Sequence, residues 1–221
     1  MSFSRPAFES TLEFFTHEDL LSSVEADQVM SLLDEEFEFG DVFRFAESVH
    51  VHLEADSVDD LPHDSIRRMA RPRYEETYPD MIKYGFDGGI GVIFSDFTIA
   101  QDDLIEGAVT ASKPYVDHLG IDLRDEGDQT RAAFDSIPAR AAQARWRHVH
   151  QASPLYCCYV SVGEKHWVYP PEGTARGRRP IEFAFGELKK YDTHMGCDYR
   201  PIDPGHPLAG VPVPARTDSC H

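Results

Sequence analysis

The feature that most constrains the fold is a cluster of three β-type segments near the C-terminus, at residues 156–162, 165–169 and 181–185. Gly163 and Glu164 separate the first two, and a loop rich in Gly, Pro and Arg at 170–180 separates the last two. Neither connection offers the crossover helix that parallel pairing needs, so this third of the chain is expected to be an antiparallel sheet. Upstream the pattern is mixed. Ser23 can cap a helix over 24–36, in which Ala26, Val29, Met30 and Leu33 share one face. Residues 39–53 alternate as a half-buried strand does, with Phe43, Phe45, Val49 and Val51 among polar neighbours. The run 56–65 reads as a loop, 66–78 supports no firm assignment, and Gly88-Gly89 opens a nearly continuous apolar strand at 90–94. A helix is expected from Asp102 or Asp103 to about Ser112. Pro114 suits the start of a short helix capped by Gly120, and 129–144 is helical with a break at Pro138. Prolines at 201, 204, 207, 212 and 214 predict an extended tail.

The expected fold is therefore α+β, with a helical, acidic N-terminal half and a C-terminal antiparallel sheet that would complete a small cupin-like barrel, a double-stranded β-helix. At 221 residues the chain fits one domain, with a subdivision into a helical or mixed part at 1–140 and a β part at 141–221. No internal repeat of useful length stands out.

Charge narrows the function. The formal net charge is -18, and residues 1–60 carry sixteen acids against Arg5 and Arg44. Such a field repels polyanions, which argues against a nucleic-acid partner. The start of the chain has no basic segment followed by an apolar one, and no apolar run approaches a membrane span of ~20 residues. Cys157, Cys158, Cys197 and Cys220 make a poor disulfide framework, and they lack the CxxC spacing of a zinc site. A reduced, cytoplasmic compartment is expected. Arg67, Arg68, Arg71 and Arg73 form a local basic patch, expected to be a salt-bridged surface or an anion site. No P-loop, nucleophile elbow or dinucleotide fingerprint is present.

Histidine spacing points to a metal. Residues two apart on a strand share a face, so His148 and His150 would present two imidazoles side by side. His50 and His52 repeat the pattern and are alternative ligands from a second strand. After His150 come Gly163, Lys165 and Trp167 in a Gly-x-Lys-x-Trp run, and then Pro170-Pro171.

Residues 148–172 resemble the first metal motif of the JmjC and related cupin-like iron, 2-oxoglutarate oxygenases. There a His-x-Asp or His-x-Glu pair precedes a Gly-x-Lys-x-Trp hairpin and Pro-Pro. The resemblance implies that His148 is an Fe(II) ligand, that His150 takes the carboxylate ligand's position, and that Lys165 binds the 2-oxoglutarate cosubstrate. Cys158 would fall near that cosubstrate. A histidine in place of the carboxylate shifts the set toward three imidazoles, as in thiol dioxygenases that do without 2-oxoglutarate. The third ligand would be His194, with His206 as the alternative.

The expected function is iron-dependent oxygenation of a small molecule or peptide. The rival reading is a non-catalytic accessory subunit of a peptide-modifying enzyme in natural-product biosynthesis. It would hold a protein partner or leader peptide through the acidic N-terminal part.

Overall fold

The computed structural model describes residues 4–33, 39–55, 63–69, 71–77, 81–95, 114–124, 127–152, 159–161, 164–174, 178–185 and 188–190. The expected helix at 102–112, the cysteines, the proline-rich tail, His194 and His206 lie outside them.

The chain runs α1 (Arg5–His17), α2 (Ser23–Leu33), α3 (Gly40–Phe43), β1 (Ala46–Glu54), α4 (His63–Met69), β2 (Tyr74–Thr77), β3 (Met81–Gly85) and β4 (Ile90–Ser95). It continues through β5 (Tyr115–Leu123), α5 (Asp128–Asp135), α6 (Ile137–Gln143), β6 (Arg147–Ala152), β7 (Tyr159–Ser161), β8 (Glu164–Tyr169), β9 (Ile181–Phe185) and β10 (Leu188–Lys190). Eight strands form one mixed sheet in the order β2-β3-β4-β1-β5-β9-β8-β6, while β7 pairs with β10 apart from it.

That order contains a repeat which the sequence conceals. The unit β1-α4-β2-β3-β4 folds so that β1 lies parallel beside β4, with β3 and β2 antiparallel outside them. The unit from β5 through α5 and α6 to β6, β8 and β9 does the same, with β5 parallel beside β9, then β8 and β6. The two units join by antiparallel pairing of their first strands, β1 and β5.

Two expectations change here. Five of the sheet's strands arise before residue 124 alongside α1 to α4, so the described N-terminal half is mixed where a helical one was expected. The sheet is also open among the described residues, with β2 and β6 as its edges, where a small barrel was expected. The antiparallel reading of the C-terminal third holds for β8 and β9, but β7, expected beside β8, pairs with β10 while β6 takes its place, and β9 runs parallel to β5.

One face of the sheet carries the helices. Phe8, Leu12 and Phe15 of α1, Val29 and Leu32 of α2, and Phe134, Ile137 and Ala141 of α5 and α6 join Val49, Val51, Leu53, Val92, Ile121 and Phe183 of the strands in one core. Each fully buried aliphatic or aromatic side chain there contributes ~1.5–3 kcal/mol. The helix starting at Ser23 is capped one residue earlier than expected. Ser22 accepts from the Glu25 amide at 3.3 Å through Oγ, while its own amide and hydroxyl donate to Glu25 Oε2 at 2.7 Å each. This is a reciprocal capping box. The basic patch is a salt-bridged surface: Arg67 pairs with Glu75 at 2.8 Å, Arg73 with Asp87, and Arg68 donates to Ser65.

Candidate metal centre

Alternation along β1 decides what each residue faces. Val49, Val51 and Leu53 enter the helix-covered core and are fully buried, so His50, His52 and Glu54 point to the opposite face. On β5, His118 is directly opposite His52 and Gly120 opposite His50, and a register shift lies between His52 and Leu53. Asp117 falls within that irregularity. A bulge re-aims the side chain it carries, and here Asp117 sits beside the two imidazoles.

His52, Asp117 and His118 offer ligand atoms that all lie within 4.8 Å of one another. Asp117 Oδ2 is 3.2 Å from His52 Nδ1 and 2.7 Å from His118 Nδ1. All three side chains are buried, none more than 1% exposed. His118 also packs edge-on against Trp167 of β8, centroids 5.0 Å apart, and its Nε2 faces Glu182 Oε2 of β9 at 3.9 Å. Glu182 accepts from Lys165 Nζ at 2.7 Å. Beside the trio, the His50 ring occupies the space over Gly120, since a Cβ at that glycine would stand 1.9 Å from the imidazole. Next to it Asp122 accepts from Ser48 Oγ at 2.7 Å. Tyr115 donates to Glu54 at 3.2 Å, one step further along the face.

The electrostatics favour a cation. Burial alone would raise the Asp117 pKa, but hydrogen bonds from His118 and His52 outweigh it and hold the carboxyl below its usual range. Burial lowers the His118 pKa to about 4 against the opposing pull of Asp117. At neutral pH Asp117 is thus a carboxylate and His118 a neutral imidazole, the forms in which both residue types bind metals. Burial likewise opposes ionisation of Glu182, and the Lys165 ammonium reverses it. Asp117 Oδ1 and Glu182 Oε1 are buried without a hydrogen-bond partner. An orphaned carboxylate oxygen in a dry site is costly unless a cation takes it up. The residues present therefore fit a divalent transition metal. Two histidines and one carboxylate are the ligand set of non-haem iron sites with open positions.

The residues expected from sequence are distributed between two places. Lys165 is buried next to this cluster, paired with Glu182. His148 and His150 lie on the edge strand β6, where His148 Nε2 is 2.8 Å from His166 Nδ1 and His150 Nε2 is 3.3 Å from Glu164. His194 lies outside the described residues. The second His-x-His pair, His50 and His52, is the one beside Asp117 and His118. Asp117, His118 and Glu182 escaped sequence reading. The available signal was a lone acid within the apolar strand Ile-Glu-Phe-Ala-Phe of β9, since an unpaired charge is rarely buried without a task.

No family model matches the chain, and no curated protein matches it. Among solved structures it is similar to an NAD-dependent benzaldehyde dehydrogenase from Legionella pneumophila, at 11% identity over 63% of this chain and 99% of that one, with a TM-score of 0.36. A methylmalonyl-CoA epimerase overlaps at 11% identity, 62% and 93% coverage and a TM-score of 0.32. A fusion of a xylose isomerase-like TIM barrel with a 4-hydroxyphenylpyruvate dioxygenase overlaps at 14% identity, 66% of this chain and 27% of that one, with a TM-score of 0.29. Overlaps this shallow carry no argument about fold or function, and the metal centre rests on its own geometry.

Proposed function

We propose that the chain is a metal-dependent enzyme acting on a small molecule, and more specifically an Fe(II)-dependent oxygenase. Its ion would be held by His52, Asp117 and His118 at the seam between β1 and β5. The observation that carries this reading is the buried set of two imidazoles and one carboxylate whose ligand atoms lie within 4.8 Å of one another. Bound there, Fe(II) would supply open coordination positions for dioxygen and a substrate oxygen or nitrogen.

The chain's own residues define the rest of the site. Glu182 faces the outer edge of His118 and fixes that ring's orientation, as carboxylates behind metal-binding histidines do. Lys165 holds Glu182 in turn. Trp167 and the His50 ring wall the trio on two sides and keep water from it.

Anaerobic titration of the metal-free protein with Fe(II) tests the reading. One equivalent is expected to bind, and dioxygen uptake should then require iron. Adding 2-oxoglutarate before oxygen separates the two oxygenase chemistries. A metal-to-ligand absorption band assigns it as cosubstrate, and iron binding without a band assigns dioxygen chemistry that does not use it. Failure to retain stoichiometric iron overturns the proposal.

A further inference from the structure

We propose a second metal site on the opposite face of the sheet, in which His148, His150 and His166 bind a zinc-class divalent cation, with Glu164 supporting His150. Neighbouring residues of β8 point to opposite faces. Trp167 touches His118 at the seam, whereas His166 packs on Phe134 of α5, with ring centroids 4.3 Å apart. One face of β8 therefore walls the first site, and its other face carries part of the second.

Strand register builds this site. On β6, His148 and His150 are two apart. On β8, Glu164 and His166 are two apart, and His150 is directly opposite His166. The four side chains thus lie on one face in a staggered row: His150 faces His166, His148 stands one step to one side opposite Val168, and Glu164 one step to the other opposite Ala152. The His166 ring lies 4.8 Å from that of His148 and 4.9 Å from that of His150, centroid to centroid. His148 Nε2 and His166 Nδ1 approach to 2.8 Å. Two nitrogens bound tetrahedrally to zinc at ~2.0–2.1 Å stand roughly 3.3 Å apart, so a small rotation of either ring admits the ion between them. His150 Nε2 is 3.3 Å from Glu164 Oε2, and a turn of its half-exposed side chain brings the ring toward the same ion. Three nitrogens with an open fourth position suit zinc better than a hard cation.

Support and access are both present. Arg131 grips both oxygens of Glu164 through bonds of 3.1 and 3.3 Å and is itself paired with Asp135, and Glu164 in turn stands against His150 as carboxylates behind metal-binding histidines do. The His150 side chain is 47% exposed, so an ion can reach the array from solvent. His148 and His150 are the pair that the sequence singled out, and His166 joins them from β8.

The test uses the full chain, freed of metal, titrated with Zn²⁺ by calorimetry and with Co²⁺ as a spectroscopic probe. Two classes of site are expected, one giving the intense visible bands of tetrahedral Co²⁺. His150→Ala, a change at a half-exposed position, should weaken that class at least about tenfold and leave the other intact. His148→Gln should do the same, and His52→Ala should have the converse effect. A single class that His52→Ala abolishes, or Zn²⁺ binding unchanged in both His150→Ala and His148→Gln, would overturn the second site without touching the first.

Discussion

His118→Ala is expected to weaken Fe(II) binding by more than the ~10–100-fold that changes behind the ligands typically cost. The substitution removes one of the ligands and strips Asp117 of its shorter hydrogen bond, the 2.7 Å contact. Asp117 would keep only His52, at 3.2 Å. Asp117→Asn should weaken binding comparably while preserving shape, because it removes the carboxylate charge from the ligand set. Both are measured by anaerobic titration, with thermal unfolding as the control for folding. His118 is buried against Trp167, so some stability will be lost. The informative comparison is iron affinity at a temperature where each variant is folded. Wild-type affinity in a folded His118→Ala protein would remove the seam from consideration.

Lys165→Met is expected to destabilise the fold by ~3–5 kcal/mol, the usual cost of leaving one member of a buried ion pair uncompensated. The pair is short, at 2.7 Å, with the Lys165 side chain 7% and the Glu182 side chain 1% exposed. At ~2–4 °C per kcal/mol for a chain of this size, the melting temperature should fall by roughly 10 °C. Replacing both members, as Lys165→Met with Glu182→Leu, should restore much of that loss, because an apolar pair of similar volume needs no compensation. Single and double variants of equal instability would show that the charge pair is not what Lys165 contributes. The double variant should also bind iron less well than the wild type, since Glu182 no longer faces His118.

Local periodicity was enough to read β4, the α5–α6 pair with its break near Pro138, and the strands β8 and β9. It failed at β5, where Pro114 and Gly120 read as the ends of a short helix. Gly120 is there for a reason that no local pattern contains: the ring of His50, from the neighbouring strand, fills the space a side chain would need. That misreading hid Asp117 and His118 and, with them, the centre. The repeated unit stayed hidden for a related reason. Its two copies share strand order and pairing sense but not residues, and pairing is fixed by contacts between segments far apart in the chain. The histidine pairs were visible as pairs. Their partners were not, because His118 and His166 become neighbours of His52 and His148 only through strand register.

The most direct test of the seam as a metal centre is anomalous diffraction at the iron edge from crystals prepared anaerobically with Fe(II). The account predicts a peak ~2.0–2.2 Å from one nitrogen each of His52 and His118 and from an oxygen of Asp117. Crystals of iron-loaded protein with no peak between β1 and β5, or with iron only among His148, His150 and His166, would contradict it.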